Sequence, residues 1–216
     1  MKAKYFIILF CVISLNSCVL KSLHPFYITS AISFQESFLG KWEDSKKGKW
    51  EVLSLKEVYQ KEKEKEPETQ EDEEFYKEYK ESYFIEYIEN NKEATFVGVP
   101  FKVNNQLFID FSVWSYNQIG LNELAASSLL GTHTLARLEV LENGKIQLKW
   151  FDSDQIKALF SKNQIRIKHE EVGVNKSLFL TASSNELYKF LKKYTLSEIE
   201  NKWTTDVEYT LTRTNE

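Results

Sequence analysis

The sequence predicts one antiparallel β-barrel or sandwich of about eight to ten short strands, mainly β, with two or three short helices; the alternative is an α+β chain around an antiparallel sheet. Three observations carry this reading. Short segments in which apolar and polar residues alternate with period two recur along most of the chain. Asn104-Asn105 and Asn143-Gly144 stand between such segments, where hairpin turns need residues that accept positive φ. Finally, 14% aromatic residues with only seven Gly and three Pro in 216 residues describe a chain able to fill one core, which excludes collagen-like and generally disordered classes.

At the N-terminus, Lys2 and Lys4 precede the uncharged, mostly apolar run Tyr5 to Leu15. That run falls short of the roughly 20 residues a membrane-spanning helix needs, and it has the layout of a secretory signal peptide over residues 1–17. It ends in Leu15-Asn16-Ser17-Cys18, which resembles the lipobox of bacterial lipoproteins. The resemblance implies that Cys18 becomes the first mature residue, thioether-linked to diacylglycerol and N-acylated, with the bilayer as partner. It also implies delivery to an outer membrane where the cell has one, since Val19 is not Asp. Cys11 would leave with the signal, so the mature chain would hold no free thiol, disulfide, thiolate metal site or cysteine nucleophile. Loss of Lys2 and Lys4 would leave 26 basic residues against 32 acidic ones, formally -6. No basic footprint for nucleic acid is present.

Residues 18–37 read as a lipidated tether and 38–216 as the barrel domain. Phe38 to Trp42 and Gly48 to Leu55 form two strands around a turn. Residues 61–74 are almost wholly charged and read as a mobile, solvated loop, since they bury nothing to offset their ordering entropy. Strands follow at Tyr83 to Ile88, Thr95 to Val103 and Gln106 to Trp114, then a short crossing helix over Leu121 to Leu129. The hairpin Thr132 to Phe151 turns at Asn143-Gly144 and points Thr134, Ala136, Leu138 and Val140, then Ile146, Leu148 and Trp150, to one face. Capping boxes at Asp152/Gln155 and Ser183/Glu186 each open a helix. Two more strands, Gln164 to Val172 and Ser177 to Thr181, lie between them, and Val207 to Arg213 closes the chain.

Gly40-Lys41-Trp42 resembles the G-x-W signature that opens the first strand of lipocalin-like barrels. In that family a late arginine packs across the tryptophan, and Arg213 shares a face with Val207, Tyr209 and Leu211. Trp42 and Arg213 are therefore expected to be a structural closure pair. Over most of the mature chain, Cys18, then Leu23-His24-Pro25-Phe26-Tyr27, Leu39-Gly40-Lys41-Trp42, Leu107-Phe108-Ile109-Asp110, Thr132-His133-Thr134 and Leu180-Thr181-Ala182-Ser183 are similar to a family of uncharacterised bacterial envelope lipoproteins. That resemblance implies a location and a single domain, and no mechanism.

The chemistry is sparse. His24, His133 and His169 lie in separate segments without the paired spacing of a zinc site, so no metal and no cofactor are expected. No G-x-S-x-G elbow, phosphate-binding loop or dinucleotide fingerprint occurs, and no catalytic residue is assigned. His133, Asp110 and Trp114 are the candidate ligand-binding residues. Asp110 stands either on the solvent face with Ser112 or inside as a perturbed acid. The expected function is a lipid-anchored, non-enzymatic binding module for a small hydrophobic ligand or an envelope partner. The alternatives are a structural or assembly lipoprotein with a filled barrel and, less favoured, a hydrolase.

Overall fold

The computed structural model describes residues 19–63, 69–116 and 131–214. The signal peptide, Cys18 and the expected helix at 121–129 lie outside the described residues. Eight strands close into an antiparallel barrel: β2 (Gly40–Glu43), β3 (Lys49–Ser54), β4 (Tyr83–Glu89), β5 (Lys92–Val103), β6 (Gln106–Tyr116), β7 (His133–Val140), β8 (Ile146–Trp150) and β11 (Glu208–Arg213). Consecutive strands pair from β2 to β8, the β6–β7 ladder included, and β11 bridges β8 to β2. The fold is mainly β and consistent with a lipocalin-like barrel. From β7 a three-stranded flap departs: β1 (Lys21–Ser22) pairs antiparallel with β7 and parallel with β10 (Ser177–Leu180), which pairs with β9 (His169–Val172). The expected strand at 164–172 is thus confined to its last four residues.

Alternation divides the buried residues into two layers. Inward side chains, among them Phe38, Trp42, Trp50, Tyr83, Ile85, Ile109, Phe111, Leu138, Ile146, Leu148 and Leu211, form the core of the barrel. The outward side chains of β5 to β7, such as Val97, Val99, Phe101, Phe108 and Leu135, form a second core with Leu20, Phe26 and two helices, α3 (Ser153–Ser161) and α4 (Ser184–Leu196). Small domains usually leave one sheet face to water. Here the β5–β7 wall is apolar on both faces, which is why a second layer covers it.

Three expectations change. Residues 19–37 are not a tether but part of the domain: Leu20 is wholly buried, its N–H donates to the Phe151 carbonyl, and Phe26 is buried in the second core. The described part of 61–74 is helical, not a loop. Residues 61–63 end helix α1 (Leu55–Lys63), and residues 70–74 begin helix α2 (Gln70–Tyr79). The Asp72 carboxylate accepts from the Thr69 N–H at 3.0 Å while the Asp72 N–H donates to the Thr69 hydroxyl, a capping box that the charge count conceals. Apolar contacts come from the edges of the run, with Tyr59 stacked on Tyr76 at 4.3 Å and Phe75 against Trp114 at 4.9 Å. At α3, Asp152 caps the N–H groups of Asp154 and Gln155, but the Gln155 amide donates to the Asn201 carbonyl instead of returning to the cap.

Candidate functional site

The β-ladder sets Asp110 and His133 near each other from residues 23 apart: His133 pairs with Ser112, and Asp110 with Leu135. Both point to the outer face of the barrel. Asp110 is nonetheless only 1% exposed, because the Leu23–Tyr27 segment lies over it. Its position is therefore neither the solvent face nor the interior expected above, but an outer face roofed by the N-terminal segment. One carboxylate oxygen accepts the Phe26 N–H at 2.8 Å, and the other lies 2.7 Å from His133 Nδ1. An ionised carboxylate only accepts, so against that form of Asp110 the Nδ1 of His133 is the donor.

That is the orienting half of an acid-histidine-nucleophile arrangement. Among the described residues, the hydroxyl that the ladder sets opposite His133 is engaged elsewhere. Ser22 pairs with His133 across the β1–β7 ladder, but it is wholly buried, donates to the Leu180 carbonyl at 3.3 Å and accepts the His24 N–H at 3.2 Å. The group is a lock that holds the N-terminal segment on the barrel wall. Tyr27 shares this environment: burial first, then the fields of Tyr79 and Asp110, push its phenol far above the usual range. Tyr79 is raised to about 12, chiefly by burial and then by Glu78. Trp114 is not part of the pair. It is 57% exposed and packs on Phe75 of α2.

Trp42 and Arg213 face each other across the β2–β11 ladder. The guanidinium carbon lies 4.2 Å from the indole centroid, and the two terminal nitrogens donate to the carbonyls of Leu39 and Ser37, each at 2.9 Å. Gly40 has φ +117° and a Cβ there would come 2.5 Å from Arg213 Nη1, so only glycine leaves room for the guanidinium.

Among the described residues, aromatic side chains meet inside the barrel. Trp50 packs against Tyr87 at 4.4 Å and Tyr209 at 5.9 Å; Phe38 meets Tyr83 edge-on at 5.1 Å, and Phe111 lies 5.1 Å from Trp150. The fit is close: a Cβ on Gly98 would stand 2.8 Å from Ile85 Cδ1 and 3.2 Å from Ile109 Cγ2. An open groove of about 1100 Å³ lies outside the barrel, between the stretch 160–169 and α4. Its apolar part comes from Phe160, Ile165, Ile167 and Phe190, and its rim carries Arg166, Lys168, Lys189 and Lys193 against the single carboxylate of Glu186. Sequence reasoning missed this surface, because its residues come from a strandless linker and one face of a helix. His169, on the edge strand, stacks on Phe160 at 4.0 Å and is accounted for by that contact. Among the described residues no three His, Cys, Asp or Glu side chains are grouped to hold a metal ion, and no helix is long and apolar enough to cross a membrane.

Compared with protein-family models, curated proteins and solved structures, the chain gives no match.

Proposed function

We propose that this chain is a lipid-anchored protein of the bacterial cell envelope, acylated at Cys18 and directed to the outer membrane, and that it is a non-enzymatic binding module working through the outside of its barrel. One observation carries the second half: among the described residues, tryptophan, tyrosine and phenylalanine side chains pack ring against ring inside the barrel, where a small hydrophobic ligand would otherwise lie. A filled barrel suits a scaffold whose partners are held outside. The groove beside α4 is the surface that we assign to one. Its apolar floor and four cations against one carboxylate favour an acidic amphipathic segment of an envelope protein. At about 1100 Å³ and open to solvent, it lacks the enclosure with which pockets bury most of a small ligand.

The two halves are tested separately. Cys18→Ala should leave an uncleaved precursor and abolish acyl labelling in growing cells; unchanged labelling would refute the anchor. For the groove, a photo-crosslinking residue in place of Phe190 should capture an envelope polypeptide, and Lys189→Glu with Lys193→Glu should abolish the adduct while leaving the fold intact. A small hydrophobic molecule that co-purifies with the native protein and survives the charge reversal would overturn the groove assignment.

A further inference from the structure

The anchor reading has a geometric consequence at the flap. Val19, the residue after Cys18, is already bridged to Asp152, and Leu20 is buried. One peptide unit, about 3.8 Å between Cα atoms, therefore separates the acylated residue from the folded body. Without a spacer, whatever surface lies beside Val19 must lie at the bilayer. The β1–β10 register identifies that surface. Lys21 pairs with Phe179 and Ser22 with Leu180 in parallel, and the same register continued two residues upstream would set Val19 level with Ser177, the first residue of β10. Immediately before Ser177 is the turn Gly173 to Lys176 of the β9–β10 hairpin, closed by the Lys176 N–H donating to the Gly173 carbonyl at 3.1 Å.

The tip of that hairpin is unusual for a surface turn. Val174 is fully exposed, at 101%, and Val172 is 47% exposed, although single exposed apolar residues elsewhere need no explanation. Two cations stand with them: Lys176 on the turn itself, and Lys157 of α3, whose ammonium donates to the Lys176 carbonyl at 3.3 Å. Four acids lie in the neighbourhood, and Asp154, Glu170 and Glu171 among them are exposed. The Asp152 carboxylate caps α3, Asp154 is exposed in the first turn of α3, and Glu171 and Glu170 pair with Leu178 and Phe179, further along the hairpin from its tip.

We infer that the 172–176 hairpin tip docks on the membrane that holds the acyl chains, with Val174 in the head-group region and Lys157 and Lys176 on lipid phosphates, so that the barrel is held in one orientation. This rests on acylation of Cys18. An apolar tip beside cations is how an interfacial segment binds an anionic bilayer, and the anchor supplies the second attachment that makes a weak contact persistent.

The test uses the full chain processed in a bacterium. With Cys11 gone and Cys18 acylated, Val174→Cys introduces the only free thiol, which takes an environment-sensitive fluorophore. Glu51→Cys, on β3 and four strands round the barrel from β7, is the reference position. Both proteins are weighed by mass spectrometry for the acyl group, then placed in vesicles of phosphatidylethanolamine and phosphatidylglycerol containing a spin-labelled lipid. The expected result is blue-shifted emission at position 174 with several-fold greater quenching than at position 51. An acylated protein whose two positions are quenched equally overturns the docking alone. A chain whose mass carries no acyl group overturns the anchor and the docking with it.

Discussion

Replacing Asp110 should release the N-terminal segment from the barrel and cost more than any other polar substitution on this wall. Asp110→Leu removes a carboxylate that is 1% exposed and holds two partners, the Phe26 N–H at 2.8 Å and His133 Nδ1 at 2.7 Å. Hydrogen bonds to a charged group contribute about 1.5–3 kcal/mol each, and a buried donor left without its acceptor costs about 1–3 kcal/mol. Leucine recovers about 1–2 kcal/mol by burying apolar surface at the same place, leaving a net loss of about 3 kcal/mol. Asp110→Asn keeps an oxygen for Phe26 and should lose only about 1 kcal/mol. Urea unfolding followed by tryptophan fluorescence reads both, and with a slope of about 2 kcal/mol/M the leucine variant should unfold about 1.5 M earlier at an unchanged slope. Proteolysis under native conditions should then cut first within residues 23–27. A midpoint within about 0.3 M of the parent for Asp110→Leu, equivalent to under ~0.6 kcal/mol, would refute the lock.

Three further outcomes are expected. Gly40→Ala places a methyl where Arg213 Nη1 now lies and forces alanine to φ +117°, so it should lower the melting temperature by the equivalent of about 1–3 kcal/mol, more than Lys41→Ala beside it; equal effects would count against the closure pair. Burial raises the phenols of Tyr27, Tyr79, Tyr83, Tyr87 and Tyr194 above their unfolded value of about 10, Tyr79 to about 12. Because the folded state holds those protons more tightly, their contribution is intact below pH ~10 and is lost as pH rises past it, so unfolding should be steep in alkali and coincide with tyrosinate absorbance; ionisation ahead of unfolding would contradict the burial. At the other extreme, the Ser183 N–H, Lys168 and the Ser183 hydroxyl hold the Glu186 carboxyl down at about 2, so the cap of α4 should persist well below the usual carboxylate range and fail as pH falls towards 2, a change that Glu186→Gln should remove from the circular dichroism titration.

The barrel strands were legible because alternation is a local signal. Ala136 and Leu138, then Ile146, Leu148 and Trp150, point inward as their spacing predicts, whereas Val140, expected on the same face, is 55% exposed at the end of β7. Helices α1 and α2 were not legible. Their apolar residues, Leu55, Val58 and Tyr59 on one side and Phe75, Tyr76 and Tyr79 on the other, lie at the ends of a charged run whose centre dominates any average, and only the Thr69/Asp72 spacing marked a helix start. The burial of Asp110 was out of reach for a different reason. Its roof arrives from Phe26, 84 residues away, and a residue on a barrel's outer face reads as solvated unless the covering segment is known. The same applies to Leu20, which sits on Phe151 through a pairing with no turn to announce it.

The two-layer arrangement explains why the short N-terminal segment matters out of proportion to its length. Trp42 and Arg213 pack on each other where β2 meets β11, and the buried inner core includes none of residues 19–27. The outer core and the flap depend on them: β1 joins β10 to β7 through only Lys21 and Ser22, and Phe26 fastens the following turn to Asp110. A pull applied just upstream of Val19 would therefore load the β1 joint and the Asp110–His133 lock before it reached the barrel. A segment tied by a two-residue strand alone would fray, since each such pairing is worth little by itself. The buried carboxylate beneath it supplies the fixed point, and this gives a physical reason for a charged residue to be retained on the apolar outer wall of β6.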